Sequence, residues 1–356
     1  MKMETKGGIM STLWRSIICL VGLSFLFLLL TLFFSSDSAT LGDSGDERSF
    51  KKLYHESFAA PEGTEVYLDA DGRVELEVWD KPEVDVTVDY NVREKYLWKR
   101  SRRGEREYGV EMYKSGNRIV IKAKHPRVAA FGFYSVRRDN HYQLKVPPYV
   151  ELDIHGDDDP ISISGVQGAV EVEVDDGELW LQRVDSPRIR IRSHDGDIIL
   201  KDVTAKGSLD ISGDDGDIEI YDTRAEEVSV QNDDGNIELS NVKGEIRLNT
   251  NDGRIELIAA DTSKLEIEGD DGRVRVETTI YPGGTYRIRT DDGSIYLTIP
   301  GDCSATFDAT TDGSFKFDLP IKAEKISHGH MRGSLGKGEA TIRLSSADGN
   351  ITISAR

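Results

Sequence analysis

Between residues 157 and 349 the apolar and polar positions keep a fixed phrase: an Asp-Gly pair, then apolar, any residue, apolar. Asp176, Asp195, Asp215, Asp234, Asp252, Asp271, Asp292, Asp312 and Asp348 each precede a glycine. Asp158-Asp159 writes the same phrase with Asp159 in the glycine slot. Successive copies lie 18 to 21 residues apart, except for a last gap of 36, which reads as two lengths of 18. Counted from the glycine, positions +2 and +4 are apolar throughout, from Leu179 and Leu181 through Ile237 and Leu239 to Ile351 and Ile353. Positions −7 and −5 form a second apolar pair, from Val170 and Val172 through Ile246 and Leu248 to Ile342 and Leu344. Position +7 is often valine, at Val166, Val184, Val203 and Val242.

Alternation with a period of two means a strand with one buried face. Each copy is therefore strand, turn, strand, Asp-Gly turn. One such rung buries too few apolar side chains to fold alone, so the copies must stack. The pattern predicts an all-β chain: a right-handed parallel β-solenoid of about 19-residue rungs, spaced about 4.8 Å apart. A meander of antiparallel hairpins would show the same alternation but would not need equivalent residues at equivalent positions. The −7/−5 pair slips at Thr306 and Asp308, and the copy expected near Met331 lacks Asp-Gly, so that rung is read as irregular.

Residues 16–34 (SIICLVGLSFLFLLLTLFF) carry no charge. As a helix they are about 28 Å long, close to the hydrocarbon core of a bilayer. Lys2, Lys6 and Arg15 precede the run; Asp37, Asp43, Asp46 and Glu47 follow it. That asymmetry places residues 1–15 in the cytoplasm and everything after residue 35 outside. A cleaved signal peptide, with Ala39 at the cleavage point, is the rival reading, and the length of the run favours an uncleaved transmembrane anchor. Residues 35–59 read as a linker, 60–150 as a β-rich N-terminal cap and 151–356 as the solenoid.

The formal charge of −19 argues against nucleic-acid binding, which needs a basic footprint. Of two cysteines, Cys19 lies in the apolar run, so Cys303 has no partner for a disulfide within the exported part.

The order of motifs carries a resemblance. A G-x-x-V-x-L opening precedes D-G-R-V-E-L-E-V-W-D with Trp79-Asp80, then V-P-P-Y-V-E-L-D-I, the Asp-Gly rungs, and a G-S-L-G-K-G-E-A-T-I-R-L-S-S-A-D-G-N-I-T-I finish. Over about residues 60–356 the chain resembles the bacterial putative-adhesin β-strand-repeat family, a domain of unknown function. Members usually carry Ser-Gly or Gly-Ser-Gly where this chain has Asp-Asp-Gly or Asn-Asp-Gly. The resemblance implies an exported, surface-associated β-solenoid in the cell envelope.

Several features are candidates for chemistry. The aspartates before the turn glycines form a column whose carboxylates repel one another, reinforced at position −2 by Asp157, Asp175, Asp214, Asp233, Asp270 and Asp291. Turn hydrogen bonds to the aspartates, with glycine supplying positive φ, would offset this locally. A bound calcium ion is the other answer, but the nine-residue calcium repeat is absent, and turn chemistry is preferred. Position +3 faces outward with Trp180, Ile199, Glu219, Glu238, Glu256, Arg275, Tyr296 and Lys316, and Trp180 beside Ile199 makes a small apolar patch. A polar face with an aromatic stacking point suits a glycan or protein ligand; a merely solvated sheet face is the plainer account.

Arg93, Lys95, Lys99, Arg100, Arg102, Arg103 and Arg106, with Tyr96 and Trp98, form a basic stretch that suits anionic headgroups or simply a solvated hairpin. His328 and His330 offer two imidazoles but no third ligand, so they read as loop residues and no metal site is assigned. No catalytic motif is present, and no catalytic or cofactor-binding residue is assigned. The reading is a non-enzymatic, membrane-anchored surface adhesin or binding module. The alternatives are an envelope-stress sensor or scaffold and, more remotely, a polysaccharide-active enzyme. The final strand, Ile351 to Ile353, has nothing after it but Ser354-Ala355-Arg356. It is expected to leave an open edge that associates weakly end to end.

Overall fold

The computed structural model describes residues 46–96, 108–124, 134–327 and 329–356, and every regular element among them is a β-strand. The 16–34 run and the basic residues Lys99, Arg100, Arg102, Arg103 and Arg106 lie outside the described residues, as does His328. No helix among the described residues is long and apolar enough to cross a membrane.

The strand before each Asp-Gly turn pairs in parallel with its counterpart in the next copy, and so does the strand after it. Val170 meets Ile189, and Ile189 meets Leu209. After the turn Leu179 meets Ile198, and Ile198 meets Ile218. The result is two parallel columns, here called the approach face (before the turn) and the departure face (after it). Both apolar pairs point between them: Ile237, Leu239, Leu248, Ile255 and Leu257 have no exposed surface. The +7 valines are also buried, and Thr223 and Ala260 fill that slot in two rungs. Parallel pairing of like residues is what separates the stacked solenoid from the antiparallel meander.

Between the departure strand and the +7 residue the chain must turn a corner. Residue +6 does so with positive φ in five successive rungs, at Arg183, Asp202, Asp222, Asn241 and Ala259. Asp and Asn tolerate this conformation; alanine does not. Ala259 is exposed, so its methyl packs against little. Ala259→Gly is therefore expected to stabilise the protein by about 0.5–1 kcal/mol, the relief of left-handed strain less the extra chain entropy of glycine. A urea midpoint that rises at unchanged slope is the expected signature; no change would mean the corner is not strained.

The order of rungs in space departs from their order in sequence at both ends. The approach strand Glu65–Ala70 lies between Arg118–Lys124 and Glu151–Gly156. The departure strand Arg73–Val78 lies likewise between His141–Val146 and Ile161–Ser164. The region 60–150 thus contributes rungs to the stack as well as covering its end. At the other end the final rung slots inward: Ala340–Ser346 lies between Thr285–Thr290 and Ala305–Thr310, and Ile351–Ala355 between Ile295–Ile299 and Phe315–Phe317.

Two expectations are corrected by this topology. The last strand is an interior strand with neighbours on both edges, so the open edge expected at Ile351 to Ile353 does not exist there. The gap of 36 is not two rungs. It holds a hairpin, Lys322–Ser327 with His330–Leu335, whose second strand runs antiparallel along Ala305–Thr310 and covers that edge. Antiparallel strands also cover the N-terminal end: Gly109–Ser115 pairs with Arg118–Lys124, and Glu83–Tyr96 with His141–Val146.

Candidate functional site

The turn column is a regularly repeated polar feature of the described residues. The carbonyl at position −2 of one rung accepts two backbone N–H bonds from the next: Asp214 O takes the amides of Asp233 (3.2 Å) and Asp234 (2.9 Å), and Asn251 O those of Asp270 and Asp271. Each turn therefore sits directly on its neighbour. A Cβ built on Gly272 would lie 1.7 Å from Gly253 O, and one on Gly253 would lie 2.0 Å from Gly235 O. This close approach is why the slot is glycine. The expected positive φ is not the reason, since none of the turn glycines from Gly177 to Gly313 has one.

The −1 carboxylates were expected to accept turn amides. Among the described residues they accept none, and stand in solvent as a bare ladder. The side chains that brace the turns sit elsewhere. At position −3, Ser193 Oγ donates to Gly196 O (2.8 Å), Thr290 Oγ1 to Asp270 O (2.9 Å) and Ser346 Oγ to Gly293 O (2.8 Å). At +1, Asp217 N donates to Asp197 Oδ1 (2.9 Å) and Asn236 N to Asp217 Oδ1 (2.8 Å). The recurrence of Ser, Thr or Asn three residues before the glycine was the signal for this buried column, and the sequence reading passed over it.

The bare ladder has an electrostatic consequence. Asp234 has its pKa raised, by desolvation in the crowded column and then by Asp252, Asp215 and Asp233. Asp271 is raised in the same way, by desolvation first and then by the charges of Asp292 and Asp252. A carboxyl raised in the folded state loses stability when it ionises. That loss is complete above the raised pKa and absent below the unfolded value near 3.8. Asp85, Asp261 and Asp308 are lowered; their contribution is full above 3.8 and fades only below it. Stability is therefore expected to rise as pH falls through the raised pKa of these carboxyls towards 3.8, and to decline below that value as the lowered ones are protonated. Asp234→Asn should raise the melting temperature at pH 7 and flatten that rise; a melting temperature that only falls on acidification counts against the ladder.

The two faces differ in their free chemistry. On the approach face charges interlock across rungs: Arg118 with Asp153 (2.7 Å), Lys122 with Asp69 (2.8 Å), Arg247 with Glu227 (3.6 Å) and Glu266 (3.5 Å), Lys264 with Glu245 (2.8 Å). A shallow depression lies within this lattice, lined by Glu227, Glu245, Arg247, Lys264 and Glu266. Exposed pairs of this kind stabilise little, about 0–1 kcal/mol each, but they satisfy the face against itself.

The departure face is more open. Trp180 and Tyr296 are among the few large apolar side chains left substantially exposed among the described residues, and both belong to the +3 column. Trp180 pairs with Ile199 as expected. Between the aromatics Tyr221 donates to Glu219 Oε2 (2.9 Å), Arg275 pairs with Glu256 (3.3 Å), and the Arg273 guanidinium lies 5.7 Å from the Tyr296 ring centre.

The repeat, its parallel stacking and its motif order have a counterpart among known families. The model of the Toastrack DUF4097 family matches residues 74–354. The chain belongs to that family. This is the same domain of unknown function that the motif order resembled. Among solved structures it is similar to a putative adhesin from Parabacteroides distasonis, at 13% identity over 86% of this chain and 97% of that one, with a TM-score of 0.42. It is also similar to a putative adhesin from Bacteroides fragilis, at 11% identity over 85% and 98%, with a TM-score of 0.32. A putative cell adhesion protein from Clostridium sporogenes aligns at 10% identity over 86% and 100%, with a TM-score of 0.18. No curated protein matches the chain.

In this member of the Toastrack DUF4097 family the remaining candidate residues are dispersed. His330 Nε2 lies 2.8 Å from Asp308 Oδ1, and Arg332 donates to Asp308 Oδ2 at 2.8 Å, so that imidazole serves the edge-covering hairpin. Arg93 and Lys95 lie on the strand Glu83–Tyr96. Among the described residues no three His, Cys, Asp or Glu side chains gather as a metal site.

Proposed function

We propose that the chain is a non-catalytic binding module of the cell envelope. Residues 16–34 anchor it in the membrane, the solenoid stands outside, and the winding is right-handed. The observation that supports this most directly is the departure face. Trp180 and Tyr296 stand in one outward column, six rung steps or about 29 Å apart at the inter-strand spacing. Between them lie Ile199, beside Trp180, and then the charged Glu219, Glu238, Glu256 and Arg275. An extended polymer can lie along such a face and stack sugar rings on both aromatics. A surface glycan is the ligand class that fits best.

No cofactor is part of this reading. The test is binding of the full chain to envelope polysaccharides and whole cells, with calcium and again with chelator. Saturable binding that falls about tenfold or more in Trp180→Ala and Tyr296→Ala is the expected result. Loss in chelator would add a cation along the aspartate ladder. Absence of binding in both conditions would transfer the weight to a scaffold or stress-sensing role with a membrane partner.

A further inference from the structure

Several outer strands among the described residues pair on one edge only, and Asp46–Ala59, at 14 residues, is the longest of them. Asp46–Ala59 pairs along its whole length with Glu83–Tyr96. Among the described residues nothing pairs with its other edge. It also carries Leu53, 66% exposed, the most exposed of the large apolar side chains described. A long strand with a free edge is a template for another strand.

We propose that this edge pairs antiparallel with the same edge of a second copy, in a two-fold dimer centred on Tyr54. In an antiparallel ladder alternate residues turn their N–H and C=O to the same side. The residues turned towards Glu83–Tyr96 cannot also serve the free edge. A second copy must therefore pair residues of like parity, and the two-fold axis must pass through a residue rather than between two.

Centred on Tyr54, Phe50 faces Phe58 of the second copy, Lys52 faces Glu56, and Tyr54 faces itself. Every pair is complementary on that side of the strand. Centred on Leu53, Phe50 would face Glu56 and Arg48 would face Phe58; centred on His55, Lys52 would face Phe58. Parallel pairing in register would set Arg48, Lys51 and Lys52 against their own copies, and like charges directly opposite are unfavourable.

The aromatic members are already held on one side. Phe50, Tyr54 and Phe58 pack against the core, and Phe50 and Tyr54 meet Tyr90 edge-on at 6.0 and 6.2 Å. Lys52 and Glu56 form no ion pair among the described residues. Lys52 instead rests 4.2 Å from the centre of the Tyr54 ring. The two charges that the dimer would join are thus uncommitted within one copy. A two-fold contact of this kind closes on itself and gives dimers rather than fibres.

Sedimentation of the full chain in detergent micelles tests the proposal. The wild-type chain should dimerise. Lys52→Glu and Glu56→Lys should each weaken the dimer by about tenfold or more, because each sets like charges across the axis twice. The combined K52E/E56K chain should recover to within about threefold, since the pairs are restored in reverse. Both residues are exposed, so the single variants should fold. In a Cys19→Ser chain, Tyr54→Cys should oxidise to a covalent dimer and Tyr113→Cys should not; Cys303 is buried. A monomeric wild type would overturn the proposal, as would a dimer indifferent to the single reversals, a combined variant that stays weak, or equal crosslinking at both cysteine positions.

Discussion

Gly272→Ala is expected to cost about 3 kcal/mol or more, among the largest effects of any single methyl added to this protein. The added Cβ would stand 1.7 Å from Gly253 O and 2.6 Å from its carbon. Both are backbone atoms inside a turn that is itself hydrogen-bonded to the next turn, so neither can swing aside as a side chain would. Relief requires the rungs to part locally and to give up the paired amides of Asp270 and Asp271 on Asn251 O. The comparison that isolates the cause is Gly63→Ala. Gly63 has a φ of +78° and nothing within 4 Å of its added Cβ. That substitution pays only for left-handed backbone, about 1–2 kcal/mol. Urea midpoints should separate the two variants clearly. Hydrogen exchange should show the loss for Gly272→Ala concentrated in the rungs on either side, because a solenoid couples mainly nearest neighbours. If both alanines prove equally mild, the stacking account of the glycine slot fails.

Much of the architecture was legible because a solenoid writes its contacts as a period. Once Leu179, Ile198 and Ile218 recur at one position, each can only lie over the last, and parallel pairing follows. The ends were not legible for the same reason. Nothing local distinguishes a rung that stacks next in line from one that is inserted a step earlier. Glu65–Ala70 reads like any other approach strand, yet it sits between two strands that follow it in sequence. The C-terminal rung is likewise placed by the hairpin that precedes it. That placement removed the expected open edge at Ile351; among the described residues a long free edge lies instead on the strand Asp46–Ala59. The turn was half legible. Asp-Gly is a sound turn signal, but it suggests positive φ, whereas here the glycine is demanded by a neighbour 18 to 21 residues away. A local rule cannot supply that cause. The serines and threonines at position −3 were visible in the sequence, and their hydroxyl bonds to turn carbonyls are ordinary local chemistry. They were overshadowed by the louder aspartates beside them.

Asp71 tests how far position in the repeat determines behaviour. It occupies the −1 slot of the Asp71-Gly72 turn, equivalent to Asp234, but only 3% of its surface is exposed. The strands Arg118–Lys124 and His141–Val146 pair with the two strands that flank its turn and lie over it. The Tyr142 hydroxyl donates to its Oδ1 at 2.6 Å, Arg138 Nε lies 3.7 Å from its Oδ2, and Asn140 Nδ2 donates to its backbone carbonyl at 3.2 Å. Tyr142 has no exposed surface, and its pKa is pushed well above the phenol range by burial first and by the Asp71 charge second. Asp71→Ala is therefore expected to destabilise by about 3 kcal/mol, because it strands a buried hydroxyl and removes the anion facing Arg138. Tyr142→Phe should cost less, about 1–2 kcal/mol, and the double variant should show a coupling of about 1–2 kcal/mol. Asp234→Asn, in the same slot but in water, should instead stabilise at neutral pH. Opposite signs at equivalent positions would show that burial, and not the repeat, decides what the carboxylate does. An Asp71→Ala chain as stable as the wild type would mean that the out-of-order rung is held by its strands alone, and that this buried carboxylate is not what fixes it.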